Sequence, residues 1–134
     1  MNKIKLMAIM DNWEKVREFY DEQNRENGLD PESDACQEMC MAIEEFYTNV
    51  ASYAYPNGGI VEISYEYNEG TIEVEIIDEG KFFNPLEKPD PDIDVGIDEF
   101  KVGGLGIYMC KMYLDDLKYE RREDKNIIFL VKKV

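Results

Sequence analysis

A few residues of this chain stand at spacings that could build a polar site. Glu45 and Asn49 are one helical turn apart within CQEMCMAIEEFYTNVASYAY, Cys36–Tyr55. Asp78 precedes Gly80 by one intervening residue, and Gly103-Gly104-Leu105-Gly106 opens an apolar run. A carboxylate and an amide along the margin of one buried helix suggest a polar site carried on a rigid element. An acid that continues the apolar face of a strand needs a hydrogen-bond donor, because burying an unpaired carboxylate is costly. Glycines ahead of a helix let the backbone approach a ligand, and the N–H groups at the helix start attract anions. Each signal also has an ordinary structural counterpart. Glu45 and Asn49 fit the wet margin of an amphipathic helix, Asp78 fits a strand that stops just before it, and paired glycines fit a plain connector.

The elements that must position these residues follow from periodicity. Met39, Ile43, Phe46, Val50 and Ala54 recur at helical steps and form one buried stripe. At roughly 100° per residue, Asn49 lies about 60° outside the stripe's edge and Glu45 about 40° further, while Glu44 projects about 140° away from Asn49 and is the solvated glutamate. Ahead of this helix, Ile4, Leu6 and Ala8 alternate in a short edge strand. Asp11 or Asn12 caps a helix with Trp13, Val16, Phe19 and Tyr20 on its apolar side, and Asn27-Gly28 ends it. Asp30-Pro31-Glu32 starts the central helix, and Pro56-Asn57-Gly58-Gly59 stops it. The period then changes to two: Val61, Ile63, Tyr65 and Tyr67 share one face, Asn68-Glu69-Gly70 turns, and Ile72, Val74 and Ile76 return. Leu86–Lys101 carries Pro89, Pro91 and a run of acids without periodicity, and a loop that long inside a small domain is either a functional lid or disordered. Leu105, Tyr108, Met109 and Met112 repeat at helical spacing behind the glycines, and Lys118–Glu123 and Asn126–Val131 read as strands around Asp124-Lys125. The order predicts an α+β two-layer sandwich, a mostly antiparallel mixed sheet covered on one face by three helices.

Composition narrows the chemistry. With 134 residues there is room for one domain, 1–134. A formal charge of −15 argues against nucleic acid or anionic membrane as a direct partner. The absence of histidine removes Ser-His-Asp and Cys-His catalysis and a phosphohistidine intermediate within the chain. Cys36, Cys40 and Cys110 read as reduced, packed thiols. No apolar run is long enough for a membrane span and the N-terminus lacks a secretory signal, so a cytoplasmic protein is expected. There is no Walker P-loop, and Gly104-x-Gly106 lacks the third glycine of a Rossmann fingerprint.

Taken together, Glu45-x-x-x-Asn49, Asp78-x-Gly80 and Gly104-x-Gly106 after a lid resemble the N, G1 and G2 boxes of the GHKL ATPase/kinase superfamily. EEFYTNVASYAYP, DEGKFFNPL and VGGLGIYMCKMYLDDLKYER are most similar to the RsbW-type anti-sigma factor serine kinases, over nearly the whole chain. The resemblance implies the Bergerat ATP-binding fold, with ATP and Mg²⁺ as cofactors and an ATP lid over about residues 86–103. Glu45 would be the general base for an attacking hydroxyl, and Asn49 would bind Mg²⁺. Asp78 would accept a hydrogen bond from the adenine amino group, and Gly80 would let the base lie against the backbone. Pro85, Lys101, Gly103, Gly104, Leu105 and Gly106 complete the implied ATP site, the glycines cradling phosphates. A sigma factor and a STAS-type anti-sigma antagonist are the implied partners. A homodimer through the N-terminal strand and first helix is implied as well.

The pattern departs from the family at two positions. An arginine often precedes the second glycine box, where this chain has Val102 with Lys101 beside it. A threonine often lies near adenine on the last strand, where Phe129 is expected here. The first departure leaves open a non-catalytic nucleotide-binding module that only sequesters its partner.

Overall fold

The computed structural model describes residues 1–87 and 104–134. Strands β1 (Asn2–Met7), β2 (Ile60–Asn68), β3 (Thr71–Asp78), β4 (Asp116–Arg122) and β5 (Lys125–Lys133) form a five-stranded sheet of order β1-β2-β3-β5-β4. All four pairings are antiparallel, so the expected mixed character is not found among the described residues. Helices α1 (Trp13–Glu26), α2 (Asp34–Asn49) and α3 (Gly104–Tyr113) form the second layer.

Strand alternation sends Val61, Ile63, Ile72, Val74, Ile76, Ile128 and Leu130 into the core, each 6% exposed or less. Two-residue turns set the registers. Glu69 and Gly70 join Asn68 to Thr71, and Glu123 and Asp124 join Arg122 to Lys125; all four turn residues have positive φ. The second turn therefore lies one residue earlier than alternation suggested, and Lys125 already belongs to β5.

The stripe of α2 is as expected: Met39, Ile43, Phe46, Val50 and Ala54 are buried, and Glu44 is exposed. Two features of the helix differ from its sequence pattern. Its N-cap is Ser33, whose hydroxyl accepts from Cys36 N–H at 3.3 Å; Asp30–Ser33 forms a turn before it. Its last turn widens into a π-helix over Val50–Ala54, a rare form associated with functional sites. A second side of α2 is buried too, against α1, where Trp13 and Tyr47 meet at 5.7 Å and Tyr47 donates to the carbonyl of Ile9 at 2.5 Å.

The α3 stripe is a correction. Ile107, Cys110 and Leu114 are buried, whereas Met112 is 64% exposed and Leu105, Tyr108 and Met109 are only part-buried. GLGIYMCKMY is apolar nearly all round, so its periodicity supports two faces equally and packing on α2 selects one. Among the described residues no helix is long and apolar enough to cross a membrane.

Candidate functional site

The π-turn that follows Asn49, the end of β3 and the start of β5 border a cleft of about 340 Å³, its open mouth included. Phe46, Asn49, Val50, Ala54, Asp78, Lys81, Phe83, Pro85, Asn126 and Ile128 line it. The space closed off within it is only about 20 Å³, room for about one water, and its lining is an apolar floor with a few convergent polar groups. Asn49, Asp78 and Pro85, separated in the chain, are thus brought together.

Asp78 is 6% exposed and answers its need for donors within the protein. Gly80 N–H donates to its Oδ1 at 2.9 Å and Asn126 Nδ2 donates to the same oxygen at 3.0 Å. Among the described residues Oδ2 receives no donor. Gly80 is a glycine for an internal reason: a Cβ there would overlap the backbone carbonyl of Ala54 at the end of the π-turn. The Asp78–Gly80 turn is pinned from outside as well. Arg121 Nη1 donates to Gly80 O at 2.8 Å, and the Tyr55 hydroxyl accepts from Glu79 N–H at 2.6 Å while donating to Ile60 O at 2.7 Å.

Asn49 projects into the cleft with its side-chain nitrogen buried and without a hydrogen-bond partner. A half-turn of the amide presents oxygen in its place. A buried amide with an unmet valence, in a cleft wall, fits an oxygen ligand for a hard cation. Among the described residues no three acidic or thiol groups converge.

Glu45 sits one turn earlier, half-buried, on the margin where α2 meets α3. Its carboxylate lies against Gly106 so closely that a Cβ on that residue would overlap it. Among the described residues it has no cation or hydrogen-bond partner. Burial, and secondarily the charge of Glu44, hold its carboxyl above the ordinary range. Glu45 in turn helps burial push the Cys110 thiol up to about 12. Beside Glu45 a groove opens between α1 and α2, lined by Arg17, Gln37, Cys40, Met41, Glu44 and Thr48. Gly104, Leu105 and Gly106 make the first turn of α3, so the glycine segment meets α2 through Glu45. Lys101, Val102 and Gly103 lie outside the described residues, as does the expected lid after Glu87.

Sequence patterns had not singled out Lys81, Phe83, Ile128 or Asn126 for the cleft. Asn126 was nonetheless visible in principle, as the polar member of the inward series Asn126, Ile128, Leu130. Phe129 is a correction: it pairs with Glu75 and Lys118 and lines a groove on the opposite face of the sheet, so Asn126 and Ile128 are the β5 residues of the cleft.

A family model described as the histidine kinase-like ATPase domain matches residues 8–132. The chain belongs to that family. Relatives within this histidine kinase-like group include the serine-protein kinase RsbW of Halalkalibacterium halodurans, 28% identical over 109 residues, covering 75% of this chain and 63% of that protein. The anti-sigma F factor of Clostridium acetobutylicum is 26% identical over 106 residues, covering 78% of this chain and 74% of that protein. The chain thus spans less than two thirds of the RsbW relative's length. Among solved structures, the RsbU and RsbW domains of a Mycobacterium tuberculosis protein superpose with a TM-score of 0.64 at 16% identity, covering 99% of this chain and 32% of that one. A histidine kinase domain from Erythrobacter litoralis gives 0.53 at 12% identity over 90% of this chain and 58% of that one. These two likenesses establish the histidine kinase-like ATPase fold.

Proposed function

We propose that this histidine kinase-like ATPase domain is an ATP- and Mg²⁺-dependent protein serine/threonine kinase that acts as an anti-sigma factor in a partner-switching circuit. The observation that carries the reading is Glu45: a half-buried carboxylate without a counter-ion, one turn from the orphaned amide of Asn49 and pressed on the first turn of α3. A raised, unpaired carboxylate at a cleft margin is the kind of group that accepts a proton. In this reading Glu45 takes the proton of a serine hydroxyl on the antagonist protein. Asp78 offers Oδ2 to the adenine amino group, and Gly104 and Gly106 leave the α3 N-terminus open to phosphate oxygens. Bound Mg²⁺, held by Asn49, would neutralise phosphate charge. The kinase name of the Halalkalibacterium relative, and the sigma-factor partner in the name of the Clostridium protein, support the same assignment.

Incubation with labelled ATP, Mg²⁺ and a STAS-type antagonist tests it. Label on a serine of the antagonist is expected; a stable complex whose ATP stays intact for hours would instead establish a sequestering module, the reading that Val102 favours in place of an arginine. Asp78→Asn puts an amide where the base must be met and is expected to weaken ATP binding about a hundredfold, measured by titration calorimetry. Wild-type affinity in that variant would remove Asp78 from the site.

Dimerisation is proposed through β1, an edge strand whose Met7 is 46% exposed and pairs with Ile60, itself 48% exposed. Light scattering is expected to give twice the chain mass; a monomer at high concentration excludes it.

A further inference from the structure

Asn126 occupies the centre of the cleft wall, and every valence of its amide is used by the protein. Nδ2 donates to Asp78 Oδ1 at 3.0 Å and to Lys81 O at 2.8 Å. Oδ1 accepts from the Tyr119 hydroxyl at 2.5 Å and from Phe83 N–H at 3.4 Å. It is 4% exposed. With two donors on one end and two acceptances on the other, the amide has one satisfied orientation. Turning it over would set its oxygen against the Asp78 carboxylate and the Lys81 carbonyl, and its NH₂ against donors.

The consequence falls on Asp78. Its Oδ1 is filled by Gly80 N–H and by Asn126, both of them donors. Oδ2 then faces the cleft as an acceptor. A ring edge that donates, such as the 6-amino group of adenine, can pair with it. A 6-oxo group brings a second acceptor to the same place and leaves both unpaired, and a site built for a donor rejects the analogue that lacks one.

We propose that Asn126, locked by Tyr119, is the positioning residue that fixes Asp78 as a hydrogen-bond acceptor and so makes the cleft select 6-aminopurine over 6-oxopurine nucleotides. The inference rests on the reading that the base enters this cleft, and it adds what enforces the choice. The same amide anchors the carbonyl of Lys81 and the N–H of Phe83. It therefore ties base recognition to the loop that forms the cleft's outer wall, where Phe83 meets Tyr53 at 6.4 Å.

Calorimetric affinities of the full chain for ATP and for inosine triphosphate test this, because the two nucleotides share phosphates and ribose and differ at the 6-position. Wild type is expected to prefer ATP by about tenfold or more. Asn126→Asp has the same shape but places a carboxylate, unable to donate when ionised, beside Asp78. Its ATP affinity should fall about tenfold to a hundredfold while inosine triphosphate changes little, so the ratio collapses toward one. Asn126→Ser keeps a donor and should recover part of the ratio. If Asn126→Asp does not fold, Tyr119→Phe removes the shortest of the four hydrogen bonds that hold the amide, loosening it, and should still lower the ratio severalfold. Parallel losses for both nucleotides, with the ratio unchanged, would reduce Asn126 to a structural strut and overturn the inference. A wild-type chain that binds neither nucleotide would overturn the cleft reading itself, a distinct failure.

Discussion

Glu45→Gln is expected to lower phosphotransfer by about 10²–10⁴-fold while ATP binding stays close to wild type. The side chain keeps its shape against Gly106 and loses only the ability to take a proton. The same substitution should stabilise the fold at neutral pH, and the sign follows from the direction of the shift. Burial, with Glu44 adding to it, raises the folded-state value of Glu45, so the native state binds this proton more readily than the unfolded chain, whose glutamates titrate near about 4.3. Stability from this group is fully present below that value and is lost as pH rises through the raised one. At pH 7 the ionised carboxylate is therefore a burden that glutamine does not carry. Thermal melts should show Glu45→Gln above wild type at pH 7, the gap narrowing towards pH 4. Transfer by wild type should rise with pH along a limb displaced above the ordinary glutamate range. A variant that phosphorylates at the wild-type rate, or that melts lower at pH 7 while matching wild type at pH 4, would rule out Glu45 as a desolvated base. A group tuned for proton transfer that weakens the fold is a familiar compromise.

What could be read from the residues alone was whatever depends on period. The α2 stripe, the solvated Glu44, the half-buried margin of Glu45 and Asn49, the hairpin alternation and the order of elements are local consequences of 3.6- and 2-residue repeats. Where period is degenerate, the reading slipped. The α3 segment is apolar on two sides, and only its contact with α2 decides that Cys110 faces inward and Met112 outward. The β5 error has the same origin. Phe129 and Ile128 are equally apolar neighbours, and the pairing of Asp78 with Asn126 fixes which parity faces the cleft. Of the two donors to Asp78, Gly80 N–H is two residues away, whereas Asn126 was not legible because it stands 48 residues away along the chain. Hydrogen-bond networks of that span are products of the fold, whereas the need for a donor was visible in advance.

The same substitution at two glycines should produce opposite failures. A Cβ on Gly80 would overlap the carbonyl and carbonyl carbon of Ala54, which are backbone atoms held by the π-turn and the pinned Asp78 turn. Rigid atoms cannot yield, so Gly80→Ala should cost about 1–3 kcal/mol and lower the melting temperature by about 5–10 °C, weakening ATP binding because the cleft wall moves. Among the described residues, the atoms nearest a Cβ on Gly106 are those of the Glu45 carboxylate, the far end of a flexible side chain. That carboxylate can rotate away, and alanine in the first turn of α3 recovers about 0.5–1 kcal/mol of helix propensity. Gly106→Ala should therefore melt at or slightly above the wild-type temperature, yet transfer phosphate about a hundredfold more slowly, because a displaced base loses its geometry. Doubling the change discriminates further. In a Glu45→Ala background the carboxylate is gone, so adding Gly106→Ala should cost almost nothing more in rate, the non-additivity expected of residues that act as one unit. Full additivity would mean that the glycine serves the phosphates or the lid instead of seating the base. A large loss of stability in Gly106→Ala would mean that Glu45 is held in place by more than packing. Either result would separate the contact between α2 and α3 from the catalytic role assigned to it.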